Sequence, residues 1–99
     1  MNALSSTALS GLAAAQTRLA ASAHNVANLN TPGFRRDEVR AQADPNGGVR
    51  VSVQQAQRPG ADLVRDVVEQ KAAAYAFKAN LQVLKTERTT TGSLFDAVA

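Results

Sequence analysis

The sequence predicts a mainly α fold: two long terminal helices that form an antiparallel coiled-coil-like hairpin, joined by a short connector with room for a small β-hairpin. Three observations carry this prediction. Residues 1–34 hold one charged side chain, Arg18, among apolar residues that recur every seven positions. A Thr-Pro-Gly-Phe turn at 31–34 halts that stretch, and from residue 62 a second apolar pattern follows a 4-3 alternation. The 99 residues read as one domain, with helix 1 over 1–30, a turn and connector over 31–61, helix 2 over 62–91 and a tail over 92–99. Short strands are expected near 37–56.

Helix 1 is justified by two rows, Leu12, Leu19 and Val26, and Ala8, Ala15 and Ser22, which together make one apolar seam. Ala13, Ala14, Ala20, Ala21 and Ala27 widen the weakly apolar surface around it. The polar remainder is narrow: Ser10, Thr17 and His24 beside Gly11, Arg18 and Asn25. A surface helix normally carries a broad charged face, so most of this helix is expected to be covered by protein in the working state.

The exit from helix 1 is the sharpest local signal. Pro32 fixes its own φ and drives Thr31 out of the helical region, so the helix must stop before it. Thr31-Pro32-Gly33-Phe34 has the residue order of a type II turn, with Gly33 supplying the positive φ. Asn28 or Asn30 is expected to take the left-handed conformation at the helix end. Beyond it, Arg35, Arg36, Asp37, Glu38 and Arg40 read as a solvated stretch of mixed charge. Asp44-Pro45-Asn46-Gly47-Gly48 is a turn signal, and Val49, Val51 and Val53 alternate with Arg50 and Ser52 as in a strand that pairs with the segment around Val39. Arg58-Pro59-Gly60 breaks the chain again.

Helix 2 starts behind Asp62, a natural N-cap, with Asp66 and Glu69 near the positive end of the helix dipole. Leu63, Val67, Gln70, Ala74, Phe77, Leu81 and Leu84 form its seam, and Val64, Val68, Ala72, Tyr75 and Ala79 lie beside it. The resulting face is wider than a two-stranded coiled coil needs. Lys71, Lys78 and Lys85 form a basic row, and Leu94, Phe95 and Val98 add a last apolar patch.

Composition limits what such a chain can do alone. Of 44 apolar residues 20 are alanine, and isoleucine and tryptophan are absent, so the core is poor in large side chains. Burial is worth about 25 cal/mol per Å² of apolar surface, which leaves the isolated chain marginal and dependent on neighbours. The net charge of +3 comes without a dense basic run, and zero cysteines exclude disulfides and thiolate sites. Neither a cleaved secretory leader nor a membrane span is expected.

Two separated motifs resemble a known family. Asn25-Val26-Ala27-Asn28 followed by Thr31-Pro32-Gly33-Phe34 resembles the N-terminal signature of the bacterial flagellar basal-body rod and hook proteins. Asp62-Leu63-Val64, Val68-Glu69 and Tyr75, then residues 79–86, ANLQVLKT, are similar to that family's C-terminal signature. The resemblance covers roughly 1–36 and 61–99, and the short middle favours a rod-type over a hook-type member. It implies a structural axial subunit of the periplasmic rod, exported through the flagellar type III apparatus without a cleaved signal peptide. It also implies polymerisation through the terminal helices with itself and other flagellar axial proteins. Residues 25–28 and 31–34 would then be the assembly motif, and Leu12, Leu19, Val26, Leu63, Val67, Phe77, Asn80, Leu81 and Leu84 the helix-packing set.

Other chemistries find little support in the residues. His24 is the lone histidine, with neither cysteine nor carboxylate in the first 34 residues to share a metal. Asp62 and Asp66 lie four apart, but no base, nucleophile or glycine-rich pocket accompanies them. Asn80 either sets register at the seam or is simply exposed. The lysine row is a solvated face, an inter-subunit salt-bridge row, or a phosphate track without the interleaved aromatics such tracks use. No catalysis, cofactor, metal, small-molecule substrate or nucleic acid is expected. The alternative reading is a free-standing helical-hairpin adaptor or weak nucleic-acid binder.

Overall fold

The computed structural model describes residues 3–98; the parts of the expected first helix and tail that fall on residues 1, 2 and 99 lie outside the described residues. Four elements run in order: α1 (Ala3–Ala27), β1 (Asp37–Ala43), β2 (Val49–Gln55) and α2 (Leu63–Val98). The two helices lie antiparallel. Partners on α2 descend as α1 ascends, from Ser5 with Glu87, through Gly11 with Asn80 and Arg18 with Glu69, to Asn25 with Asp66. The expected helical hairpin with a small β-hairpin between its arms is therefore the fold.

Polar groups start and stop the helices. Asp62 Oδ1 accepts from the Arg65 N–H at 3.1 Å, the N-cap bond that satisfies an otherwise orphaned donor. Asp62→Ala should cost about 1 kcal/mol, read as a lower urea midpoint by helical circular dichroism. At the other end α2 does not stop at Thr91; it runs unbroken through the expected tail to Val98. Helix α1 ends at Ala27, and no described non-glycine residue has a positive φ, so neither Asn28 nor Asn30 is left-handed. The Asn28 carboxamide instead donates to the His24 carbonyl at 2.9 Å, and successive tight turns, Leu29 N–H to Val26 and Thr31 N–H to Asn28, unwind the helix. A side chain takes over the capping that a left-handed backbone would have supplied.

The strands pair antiparallel, with Val39 opposite Val53 and Ala41 opposite Val51. Their loop is closed by the Gly47 N–H to Asp44 and the Asp44 N–H to Gly48. The loop end of the hairpin reaches back over the first half of α1, where the Val49 N–H donates to Ser10 Oγ at 3.1 Å. Helix α1 is thus covered by α2 on one side and by the β-hairpin on another.

What is buried between these layers is small. The buried apolar residues are Ala8, Ala14, Ala15, Ala21 and Ala73, while Leu4, Val64, Val68, Tyr75, Leu94, Phe95 and Val98 each stay more than half exposed. The chain has a radius of gyration of 17.4 Å, against about 13 Å for a compact domain of this length. Its accessible surface is 7036 Å², where a compact monomer of this mass would expose about 5,400 Å².

Candidate functional site

The turn and the start of the connector are fastened to both helices by one buried polar cluster. Asn25, two residues before the end of α1, is 3% exposed. Its Oδ1 accepts from the Asp37 N–H at 2.7 Å, and its Nδ2 donates to the Asp37 carbonyl at 2.9 Å. The carboxamide thereby pairs with the first residue of β1 as a neighbouring strand would. The same Nδ2 donates to Asp66 Oδ1 at 3.1 Å. Asp66, 2% exposed, also accepts from Arg36, whose Nε donates to Oδ2 at 3.1 Å and whose Nη2 donates to Oδ1.

Three segments therefore meet on one carboxylate: the end of α1, the strand entry at 36–37 and the first turn of α2. Every buried side-chain nitrogen and oxygen among the described residues has a partner, the condition under which a buried ionic cluster stabilises rather than strains. The hydrogen bond from Arg36 to Asp66 holds the guanidinium above its usual range, with burial pulling the other way. Arg36 is thus a buried anchor, not part of a solvated stretch. Nor do Asp62 and Asp66 act together: one caps α2, the other accepts from Arg36 and Asn25.

The turn lies directly beside this cluster. The Phe34 N–H donates to the Thr31 carbonyl at 3.2 Å, and Gly33 has φ 74°, the geometry of the type II turn that Pro32 and Gly33 encode. Phe34 packs edge-on against His24, ring centres 5.3 Å apart. The Gly60 N–H donates to the Phe34 carbonyl at 3.1 Å, tying the returning chain to the turn. Asn28, Leu29, Phe34, Pro59 and Ala61 line a shallow cleft at this end of the molecule.

The polar strip of α1 has a different place from the one its sequence suggests. Gly11, Arg18 and Asn25 face α2 rather than solvent. A methyl group at Gly11 would overlap the Asn80 carboxamide at 2.5 Å, so glycine here permits close approach, and Arg18 Nη2 reaches Glu69 at 3.1 Å. Asn80 is half-buried and donates to the Ala76 carbonyl. Of the remaining packing residues, Leu12, Val26, Phe77 and Leu84 are half-buried, while Leu19, Leu63, Val67 and Leu81 are 36–44% exposed. Asn25, Asn28, Thr31, Gly33 and Phe34 are brought together at the joint, Val26 and Ala27 lie on the last turn of α1, and Pro32 is exposed.

Arg36 and Asp66 were not among the expected site residues. The signal that could have found Asp66 is a second seven-residue row, Asp66, Ala73, Asn80 and Glu87, which meets Gly11, Arg18 and Asn25 across the hairpin. The described residues contain no cluster of histidine, cysteine, aspartate or glutamate able to hold a metal, and no described helix is long and apolar enough to cross a membrane.

Residues 6–35, which comprise most of α1 and the turn, match the sequence model of a family described as flagella basal body rod protein. No curated protein matches the chain. The match covers 30 of the 99 residues and is a likeness of α1 and the turn to that family, whose role in the basal body is structural.

Proposed function

We propose that this chain, which is like the flagellar rod family in its first helix and turn, is an axial structural subunit of the bacterial flagellar basal-body rod that polymerises through its terminal helices. The observation that carries the reading is the coincidence of the matched segment with the joint: residues 6–35 end at the turn, and Asn25 within them is hydrogen-bonded to both β1 and α2. The chemistry is mechanical. Helices α1 and α2 supply the packing surface, and the buried Asn25, Arg36 and Asp66 cluster fixes the angle at which the connector leaves the helical layer.

The exposed apolar residues support association with neighbours, because an alanine core hides too little apolar surface to stabilise a long hairpin well. The assembly motif is residues 25–28 and 31–34. Leu12, Leu19, Val26, Leu63, Val67, Phe77, Asn80, Leu81 and Leu84 form the packing set within the chain and against neighbours. The partners are other copies and other flagellar axial proteins, reached through the type III export apparatus and met in the periplasm.

Purified basal bodies from cells carrying a tagged copy test this directly. The tagged chain should co-purify with the rod at a constant ratio to its other proteins. A tagged chain absent from basal bodies, and a purified monomer that folds cooperatively and binds DNA with strong salt dependence, would favour the adaptor or nucleic-acid reading instead.

A further inference from the structure

All the lysines of the chain, Lys71, Lys78 and Lys85, lie on one face of α2. Asp66, Ala73, Asn80 and Glu87 make the row that α1 covers: Asn25 meets Asp66, Gly11 meets Asn80, Ser5 meets Glu87, and Ala73 is 0% exposed. Two residues before each of these stand Val64, Lys71, Lys78 and Lys85. Two residues turn a helix by about 200°, so this second row points away from α1. The β-hairpin leaves it open, because its strands pack on α1 and not on α2. The three lysines are exposed, and among the described residues their ammonium groups have neither an ion pair nor a hydrogen bond.

Charge on α2 is sorted between the two faces. Asp66 accepts from Arg36, Glu69 from Arg18 and Glu87 from Ser5, all on the inward side. A face that is merely solvated mixes both signs at spacings of three and four residues. Here no carboxylate stands three or four residues from any of the lysines. Apolar side chains stand there instead: Val68 and Tyr75 are 60% and 76% exposed, and Val64 at the head of the row is 76% exposed.

We propose that the outward face of α2 docks a helix of a different protein, one that carries carboxylates at seven-residue spacing to pair with Lys71, Lys78 and Lys85 and lays apolar side chains on Val64, Val68 and Tyr75. Successive lysines rise by about 10 Å along the helix. A helix lying alongside repeats its own heptad row at the same rise, so all three ion pairs form in register. A nucleic-acid strand carries a charge about every 3.4 Å, and Tyr75 alone cannot stack successive bases. A helix that lies in a bilayer surface keeps its cations and its apolar residues on separate faces, whereas these share one. A second copy lacks the acid: α1 has no carboxylate, and those of α2 are turned inward except Asp96 near its end. Exposed ion pairs are worth up to about fivefold each, so the lysines select the partner while the apolar side chains add contact area.

This inference rests on the proposed structural role, for which it names a class of partner. The probe is a synthetic helical peptide with glutamate at every seventh residue and leucine between, bound to the purified full chain and read by fluorescence anisotropy. Binding should weaken between about 0.1 M and 1 M salt, as the Debye length falls from about 10 to 3 Å. Lys78→Glu changes an exposed residue, so its circular dichroism should match the parent while binding falls about fivefold or more. A peptide with lysine in place of its central glutamate should bind Lys78→Glu better than it binds the parent. Tyr75→Ala should weaken binding of both peptides. Equal binding of the acidic peptide by the parent and by Lys78→Glu overturns the proposal. So does tighter binding of phosphatidylglycerol vesicles or duplex DNA than of the peptide, and so does self-association that Lys78→Glu abolishes. The presence of the tagged chain in basal bodies, scored separately, decides the structural role: residence without the charge-swap rescue removes the docking face alone, and the rescue without residence removes the role alone.

Discussion

Arg36→Ala is expected to lower stability by about 3–5 kcal/mol, the cost of leaving one member of a buried ion pair without its partner. Asp66 is 2% exposed and would keep only Asn25 as a donor. The loss is large against the roughly 5–15 kcal/mol typical of whole domains, and a chain with an alanine core lies low in that range. The variant should be mostly unfolded at room temperature by helical circular dichroism. Arg36→Lys should recover only part of the loss, because an ammonium cannot reproduce the two-pronged donation from Nε and Nη2. Arg36→Met combined with Asp66→Leu should recover most of it, since an apolar pair of similar volume avoids the desolvation penalty. A single Arg36→Ala variant within about 1 kcal/mol of the parent in urea would show that the cluster does not hold the joint.

The same pair sets the sign of the pH dependence. The Arg36 guanidinium is held above its ordinary range, mainly by its hydrogen bond to Asp66. A cation whose folded pKa is raised contributes its full stability below the unfolded value and loses it only as pH climbs through the folded one. For arginine that window is strongly alkaline, so the Arg36 contribution is constant across neutral pH.

The parts of this fold that were legible in the sequence are those encoded by backbone chemistry. Pro32 and Gly33 define a turn because one fixes φ and the other tolerates φ 74°. Asp62 defines a helix start through one side-chain oxygen, and the loop at 44–48 defines the β-hairpin. The buried cluster was not legible, because burial of a charge depends on what arrives from elsewhere in the chain. Arg36 sits among four other charged residues between 35 and 40, which reads as solvated until Asp66 is brought to it. Periodicity sets Leu12, Leu19 and Val26 and the small row Ala8, Ala15 and Ser22 on one seam without ranking them by depth. The structure buries the small row, because close layers on two sides of α1 leave room only for small residues.

Pro32→Ala together with Gly33→Ala is expected to abolish assembly while sparing export. Alanine at a φ of 74° costs about 1–2 kcal/mol, and removing Pro32 frees Thr31 to return to helical geometry. The chain would then escape the strain by extending α1 past Ala27. Each added helical residue rotates the downstream chain by about 100°, which turns Phe34 away from His24 and drags Asp37 from the Asn25 carboxamide. On the proposed function, nothing in that change touches the unfolded chain during export. Secreted protein should therefore stay near the parent level while motility in soft agar and rods in purified basal bodies are lost. Gly33→Asn alone is the informative control: asparagine tolerates the left-handed region better than other side chains, so motility should largely survive with Pro32 in place. Full motility and intact rods in the double variant would mean that the cluster of Asn25, Arg36 and Asp66 holds the exit angle without help from the turn.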